Sequence, residues 1–299
     1  MTRPVRLLAM TLACASSLVP LRAAAQADPM GTPEPPPPVV PPKPIPPLST
    51  PDTFVDRDMR RPWSEAHTRG FVAARIDVGY LYLKPQLSLG YGRPFSNWIG
   101  VDLAPIAAQA EIAGYGGLRA QVGPVELRVG GRYNFPFDHN YLPRQASFSR
   151  LDLESTVGGR STYTALESEL KAAIGVGPGS ILAIASVFYV VGVPAGFDIY
   201  EETLRTIMQP PVVAWGRTGY DFHFGTQNQH GIAVVGDVLY SPDRDTATVR
   251  AGLLLHIAFS HHFEIRGSFV PTVWSRDGIG LAGDDFTELG LRYRWATGD

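Results

Sequence analysis

The side chains with the chemistry to act are charged, and they recur at one parity. Arg119 alternates with Leu118, Ala120 and Val122, and Glu126, Arg128 and Arg132 with Val125, Leu127 and Val129. Glu167, Glu169 and Lys171 follow at the same two-residue step. Arg217, Asp221 and His223, then Arg250, then Glu264 and Arg266, then Arg292 and Arg294 repeat the pattern farther on. In an extended chain successive side chains point to opposite faces. Each run therefore carries charges on one face and apolar groups on the other. Mixed signs on neighbouring strands make cross-strand ion pairs. The same charges around an aqueous bore would sort solutes by sign.

Covalent chemistry finds little support. A nucleophilic site needs serine, histidine and an orienting group within hydrogen-bond reach, and the seven histidines are scattered. Asp221 and His223 share a strand face with Arg217, which reads as a ladder of ion pairs. Asp138 and His139 offer two common ligand types, too few for a metal site. His261 and His262 read as solvated turn residues. No Gly-rich phosphate loop, His-Glu-x-x-His or Gly-x-Ser-x-Gly is present. The expectation is no catalytic residue, no metal and no cofactor.

Strands must position these groups. Transmembrane strands need about 9–11 residues of two-residue alternation. Twelve runs qualify, at about 71–83, 86–93, 97–104, 107–122, 125–135, 161–175, 180–191, 212–224, 231–240, 246–259, 262–274 and 284–296. Ten or fourteen strands remain open. Gly123-Pro124 predicts a two-residue turn pairing Val122 with Val125, and Ser260 to His262 a turn pairing Phe259 with Phe263. Lys84-Pro85 is read as a further turn. The connections at 136–160, 192–211 and 275–283 are long. The first, with Phe137, Tyr141, Arg144 and Phe148, would constrict a bore, lie on lipopolysaccharide or stay exposed. In the second, Asp198 to Ile207 predicts a short surface or plug helix. Aromatics near strand ends (Tyr80, Tyr82, Tyr91, Trp98, Tyr133, Phe135, Phe222, Phe224, Trp274, Tyr293, Trp295) suit interfacial girdles. A soluble β-sandwich alternates too, but the charged faces here supply few apolar residues for its core.

The last strand, Glu288-Leu289-Gly290-Leu291-Arg292-Tyr293-Arg294-Trp295, resembles the C-terminal β-signal of bacterial outer-membrane β-barrels. Glu288, Gly290, Tyr293 and Trp295 carry the match. Ala296 to Asp299 follow, where many members end on the aromatic. The resemblance implies an all-β protein, an antiparallel transmembrane up-and-down β-barrel over 70–299, in the porin-like superfamily. It implies a bacterial outer-membrane location, contact with lipid and lipopolysaccharide, and recognition by the barrel-assembly machinery. The expected role is a porin-like passive channel for small solutes. One alternative is a closed structural or adhesion barrel, which a packed lumen would favour. Another is a lipid-modifying barrel enzyme, which a serine–histidine pair at the rim would favour.

The N-terminus sets the compartment. Arg3 and Arg6 precede an apolar run from Leu7 to Val19, and Ala23-Ala24-Ala25 or Ala25-Gln26-Ala27 offers a small-x-small cleavage site, the layout of a signal peptide over 1–27. Thr11-Leu12-Ala13 before Cys14 matches a lipoprotein site poorly. Cys14 is the sole cysteine, so a cleaved chain has no disulfide or thiolate site. Residues 28–69 read as a disordered, Pro-rich periplasmic arm, because proline lacks the amide hydrogen a helix or ladder requires. Its expected partners are peptidoglycan or a periplasmic protein. No run of about 18 apolar residues offers a helical span. The net charge of −2 gives no handle for nucleic acid.

Overall fold

The computed structural model describes residues 67–79, 82–154, 159–225, 228–260, 262–286 and 289–297. The segment read as a signal peptide and most of that read as a Pro-rich arm lie outside the described residues, as do Tyr80, His261 and Glu288. In chain order the elements are β1 (Arg69–Gly79), β2 (Tyr82–Gly92), β3 (Trp98–Ala108), β4 (Glu111–Val122), β5 (Val125–Pro136), β6 (Leu142–Pro143), α1 (Arg150–Leu153), β7 (Tyr163–Val176), β8 (Gly179–Val191), β9 (Phe197–Glu201), β10 (Thr206–Met208), β11 (Val212–Phe224), β12 (His230–Ser241), β13 (Thr246–Ala258), β14 (Phe263–Phe269), β15 (Thr272–Ser275) and β16 (Gly290–Ala296).

The long strands pair antiparallel with their chain neighbours, and β16 returns to pair with β1. The sheet therefore closes into a twelve-stranded barrel without a free edge. β14 and the short extra strand β15 occupy one place, both lying against β13. The break between them falls at Val270-Pro271, where proline offers no amide. β16 has seven residues. It pairs with β1 along Ala73–Gly79 and with β14 only along Phe263–Arg266, whereas β7 and β8 pair over Thr164–Val176.

Alternation decides which way each strand faces. Ile76, Val78, Leu87, Leu89, Leu118, Leu127, Leu166, Val187, Val234 and Leu253 all point outward and are strongly exposed. A continuous apolar belt of this kind does not suit water and matches a lipid-facing surface. The turns at Gly123-Pro124 and 259–262 have the expected registers, Val122 opposite Val125 and Ile257 opposite Ile265. All the long connections lie at one end. The opposite end carries the turns at 93–97, 123–124, 177–178, 225–229 and 259–262 together with both described chain ends.

Three readings need correction. Lys84 and Pro85 lie inside β2, and the first hairpin reverses between Gly79 and Tyr82. Extending the flanking register sets Pro85 opposite Pro105, and no pairing forms between Leu83↔Ala107 and Leu87↔Leu103. Two residues without amides meet there, so the proline marks a gap in a ladder rather than a turn. The shifted turn reverses the parity of Tyr82, which faces inward. Trp98 is 4% exposed, packed edge-on against Phe71 inside the barrel at 5.4 Å, and belongs to no girdle. Finally, Asp198 to Ile207 forms no helix. It is the β9–β10 hairpin.

Candidate functional site

Inside the barrel the charged residues form a nearly unbroken chain of contacts around half the circumference. On β16, Arg292 clamps Asp77 of β1 with Nε and Nη2 at 2.5 and 3.1 Å. Arg75 beside it donates to Gln86 of β2. Gln86 reaches Ser88, and Ser88 donates to Asp102 of β3 at 2.6 Å. Arg119 of β4 lies 2.6 Å from Asp102 and 3.6 Å from Glu126 of β5. Lys171 of β7 contacts Glu126 at 3.9 Å and Glu169 at 2.9 Å. Arg128 lies 3.0 Å from Glu167 and 3.9 Å from Glu169. Arg132 contacts Glu167 at 3.6 Å and Glu111 at 4.0 Å. A separate cluster sets Glu264 between Arg266 at 3.3 Å and Arg294 at 3.1 Å.

Local backbone chemistry makes room for this wall. Gly117 and Gly130 face each other across β4 and β5, and a Cβ on either would strike the Tyr115 hydroxyl. The Tyr115 ring therefore lies over bare backbone, and the Arg128 guanidinium stacks 4.6 Å above it. The site also includes acids that the initial reading passed over: Asp77, Asp102 and Glu111. The signal was present, since Asp102 sits between outward Val101 and Leu103.

The opposite wall is apolar. β8 reads Ser-Ile-Leu-Ala-Ile-Ala-Ser-Val-Phe-Tyr-Val-Val, and its inward set of Leu182, Ile184, Phe188 and Val190 is buried. The scarcity of inward apolar residues inferred from the sequence thus holds for the first staves and fails for β8, β11 and β12. The reason is the hairpin. Ile199, Leu204 and Met208 pack on Tyr163, Phe188, Val190, Val213 and Leu239 of the barrel wall. Tyr200 and Ile207, on the other face of the same hairpin, pack with Leu142, Phe148, Leu153 and Ile279 of the long connections. Two opposed apolar environments select an extended chain over a helix.

Polar contacts fix the hairpin in the bore. Glu201 meets Arg132 at 2.5 Å, with both side chains at most 2% exposed, and accepts the Leu204 amide at 2.5 Å. Arg250 of β13 donates to the Leu204 carbonyl at 2.5 Å. Arg217 of β11 bridges Asp237 and Asp285 at 2.5 and 2.6 Å. Above it, Arg244 holds Asp277 at 2.7 Å and lies 3.7 Å from Asp198. Burial pushes the Asp198 carboxyl up to about 6, although Arg244 and Arg144 oppose that shift.

Between hairpin and charged wall lies a cavity of about 240 Å³. Tyr82 and Ala108 line it beside the tight turns of the long-loop end, and Pro124 lines it in a turn of the opposite rim. Thr203, Leu204 and Arg205 of the hairpin turn border it midway.

The structure also brings Ser180 within 3.2 Å of His223 Nε2, with Asp221 Oδ2 3.5 Å from the same nitrogen. A hydrolytic triad needs the acid on the other ring nitrogen, where it orients the base. Here serine and aspartate compete for one nitrogen, and Ser180 is 1% exposed. The trio is an interior polar cluster. His139 stacks edge-on against Tyr200 at 5.0 Å and lies 3.4 Å from Glu202. Among the described residues no group of three or more metal-ligating side chains occurs.

Of the terminal signal residues, Gly290 abuts β1, where a Cβ would collide with the Val78 carbonyl and Gly79. The Tyr293 ring packs on Phe263 at 5.0 Å, and Trp295 faces outward, 38% exposed.

A closed antiparallel barrel, apolar outside and charged within, with long connections at one end and the described chain ends at the other, is an outer-membrane β-barrel in architecture. Among solved structures it is similar to the KdgM porin, determined in complex with disordered oligogalacturonate (6% identity, 76% of this chain and 96% of that chain, TM-score 0.36). It is also similar to the NanC porin (10% identity, 76% and 97%, TM-score 0.34) and to the β domain of the Bordetella autotransporter BrkA (12% identity, 77% and 98%, TM-score 0.29). No protein-family model and no curated protein matches the sequence.

Proposed function

We propose that this protein is a passive outer-membrane channel for small polar solutes, narrowed by the β9–β10 hairpin. The observation that carries the reading is the cavity that touches both rims and runs between the hairpin and the wall of ion pairs. Lys171, Glu169 and Arg128 border that space, and Lys171 stays 31% exposed, as water in a passage allows. Apolar packing is instead confined to the sector behind the hairpin. The hairpin sets the bore, and the charges set what enters it.

The test is conductance of purified, refolded residues 28–299 in a planar bilayer. Discrete, reproducible steps are expected. Insertion without steps would overturn the channel reading and leave a plugged structural barrel.

A further inference from the structure

The passage carries an excess of positive charge at its surface. Ten lysines and arginines line it, against six carboxylates. Each of those carboxylates already has a cation: Asp77 has Arg292, Glu126 and Glu169 have Lys171, Glu167 has Arg128, Glu202 has Arg205, and Asp285 has Arg217. Other interior acids, such as Asp237 and Glu264, sit behind Arg217 and Arg266 and do not line the space. The imbalance is therefore one of position, with cations in front and acids behind.

Two of the cations have no acid within ion-pair distance among the described residues. The Lys84 side chain lines the passage with neither an ion pair nor a hydrogen bond among the described residues. Arg250 is 3% exposed and gives its hydrogen bonds only to the carbonyls of Leu204 and Arg205, with Nε left unbonded. An ionised guanidinium held in a confined interior without a counter-charge favours an incoming anion.

The rest of the lining says what kind of anion. Ile106, Leu182, Ile184, Phe188 and Trp215 border the same space. A chloride ion would leave that surface unused. A compact apolar cavity of about 150 Å³ admits benzene, and the whole passage, about 240 Å³, is large enough in total volume for a benzene ring bearing a carboxylate if that ring lies along it. We propose that the passage is a binding station for small organic anions with an apolar body, aromatic carboxylates being the fitting class, and that Lys84 and Arg250 select for the negative group. The route by which such a solute arrives rests on the channel reading; its binding does not.

The experiment uses the full chain folded in detergent micelles and, in parallel, in planar bilayers. Calorimetric titration with benzoate is set against titration with benzylammonium, which has similar shape and opposite charge. Saturable binding of benzoate alone is expected, and benzoate is expected to lower the current through the pore. Lys84→Gln should weaken benzoate binding by about twofold to fivefold, the scale of one partly screened charge. It leaves no acid orphaned, so the barrel should fold. Arg250→Gln should weaken binding further, with barrel closure checked by heat-modifiable gel mobility. Equal binding of the two probes, no binding of either, or a Lys84→Gln titration identical to the parent would overturn the proposal. Benzoate binding without conductance steps would sustain the station and sink the channel. Steps without benzoate binding would do the reverse.

Discussion

Replacing β9–β10 (residues 197–208) with a short Gly-Ser linker should enlarge the conductance step, and the structure sets by how much. With twelve strands spaced about 4.8 Å apart and tilted about 40°, the backbone cylinder has a radius of about 12 Å. Inward side chains about 6 Å long leave a bore in which water centres explore a circle of about 65 Å². The present cavity of 240 Å³, spread over an apolar band about 25 Å tall, has a mean cross-section of about 10 Å². Excision should therefore raise conductance by roughly fivefold to tenfold. The assay is single-channel recording in concentrated salt, where surface charge is screened. Heat-modifiable mobility confirms a closed barrel, because removing the hairpin uncovers Phe188, Val190 and Val213. An unchanged step from a folded variant would refute the claim that the hairpin narrows the pore.

Arg132→Gln strands Glu201 and Glu111 in the interior, while Glu167 keeps Arg128. It should cost about 3–5 kcal/mol in urea unfolding from lipid vesicles. Lys171→Gln, on a side chain 31% exposed, should stay within about 1 kcal/mol. Burial raises the Asp198 carboxyl of the folded hairpin to about 6, above an unperturbed carboxylate, so the folded state holds its proton more tightly. That contribution favours the folded hairpin fully below about pH 4 and fades as pH rises through about 6. Protection factors of the amides in 197–208, with the intrinsic pH dependence of exchange divided out, should rise on acidification from pH 7 to 5, and Asp198→Asn should abolish that rise. Ser180 should resist a fluorophosphonate probe under conditions that label a serine hydrolase; stoichiometric labelling would overturn the assignment of its cluster as structural. Gly290→Ala drives a methyl into the Val78 carbonyl and should sharply reduce the folded fraction on refolding into lipid.

The staves were legible because lipid outside and charge inside impose a strict two-residue rhythm on each. Leu118 to Val129 shows it across a whole hairpin. Pro85 misled because proline signals turns, and only the partner strand shows that Pro105 occupies the facing position. The hairpin was illegible for a different reason. Asp-Ile-Tyr-Glu-Glu has local preferences that favour a helical turn, and it extends only because Ile199 meets the barrel while Tyr200 meets the long connections. Both surfaces come from residues far away in sequence. The pairing of Arg132 with Glu201 is equally remote, joining β5 to a connection 69 residues later.

The short seam between β1 and β16 has a mechanical consequence. β16 holds its neighbours over fewer residues than other staves do, and one of those neighbours only along Phe263–Arg266. Hydrogen-bonded ladders loaded in shear share force along their length, so the shortest one yields first. When the chain is pulled from its C-terminal end out of a membrane, β16 should detach as the first rupture, at a lower force than any hairpin that follows. Asp77 and Arg292, which join the two strands from inside, act there as a rivet whose removal should lower that first force and leave the later ruptures unchanged.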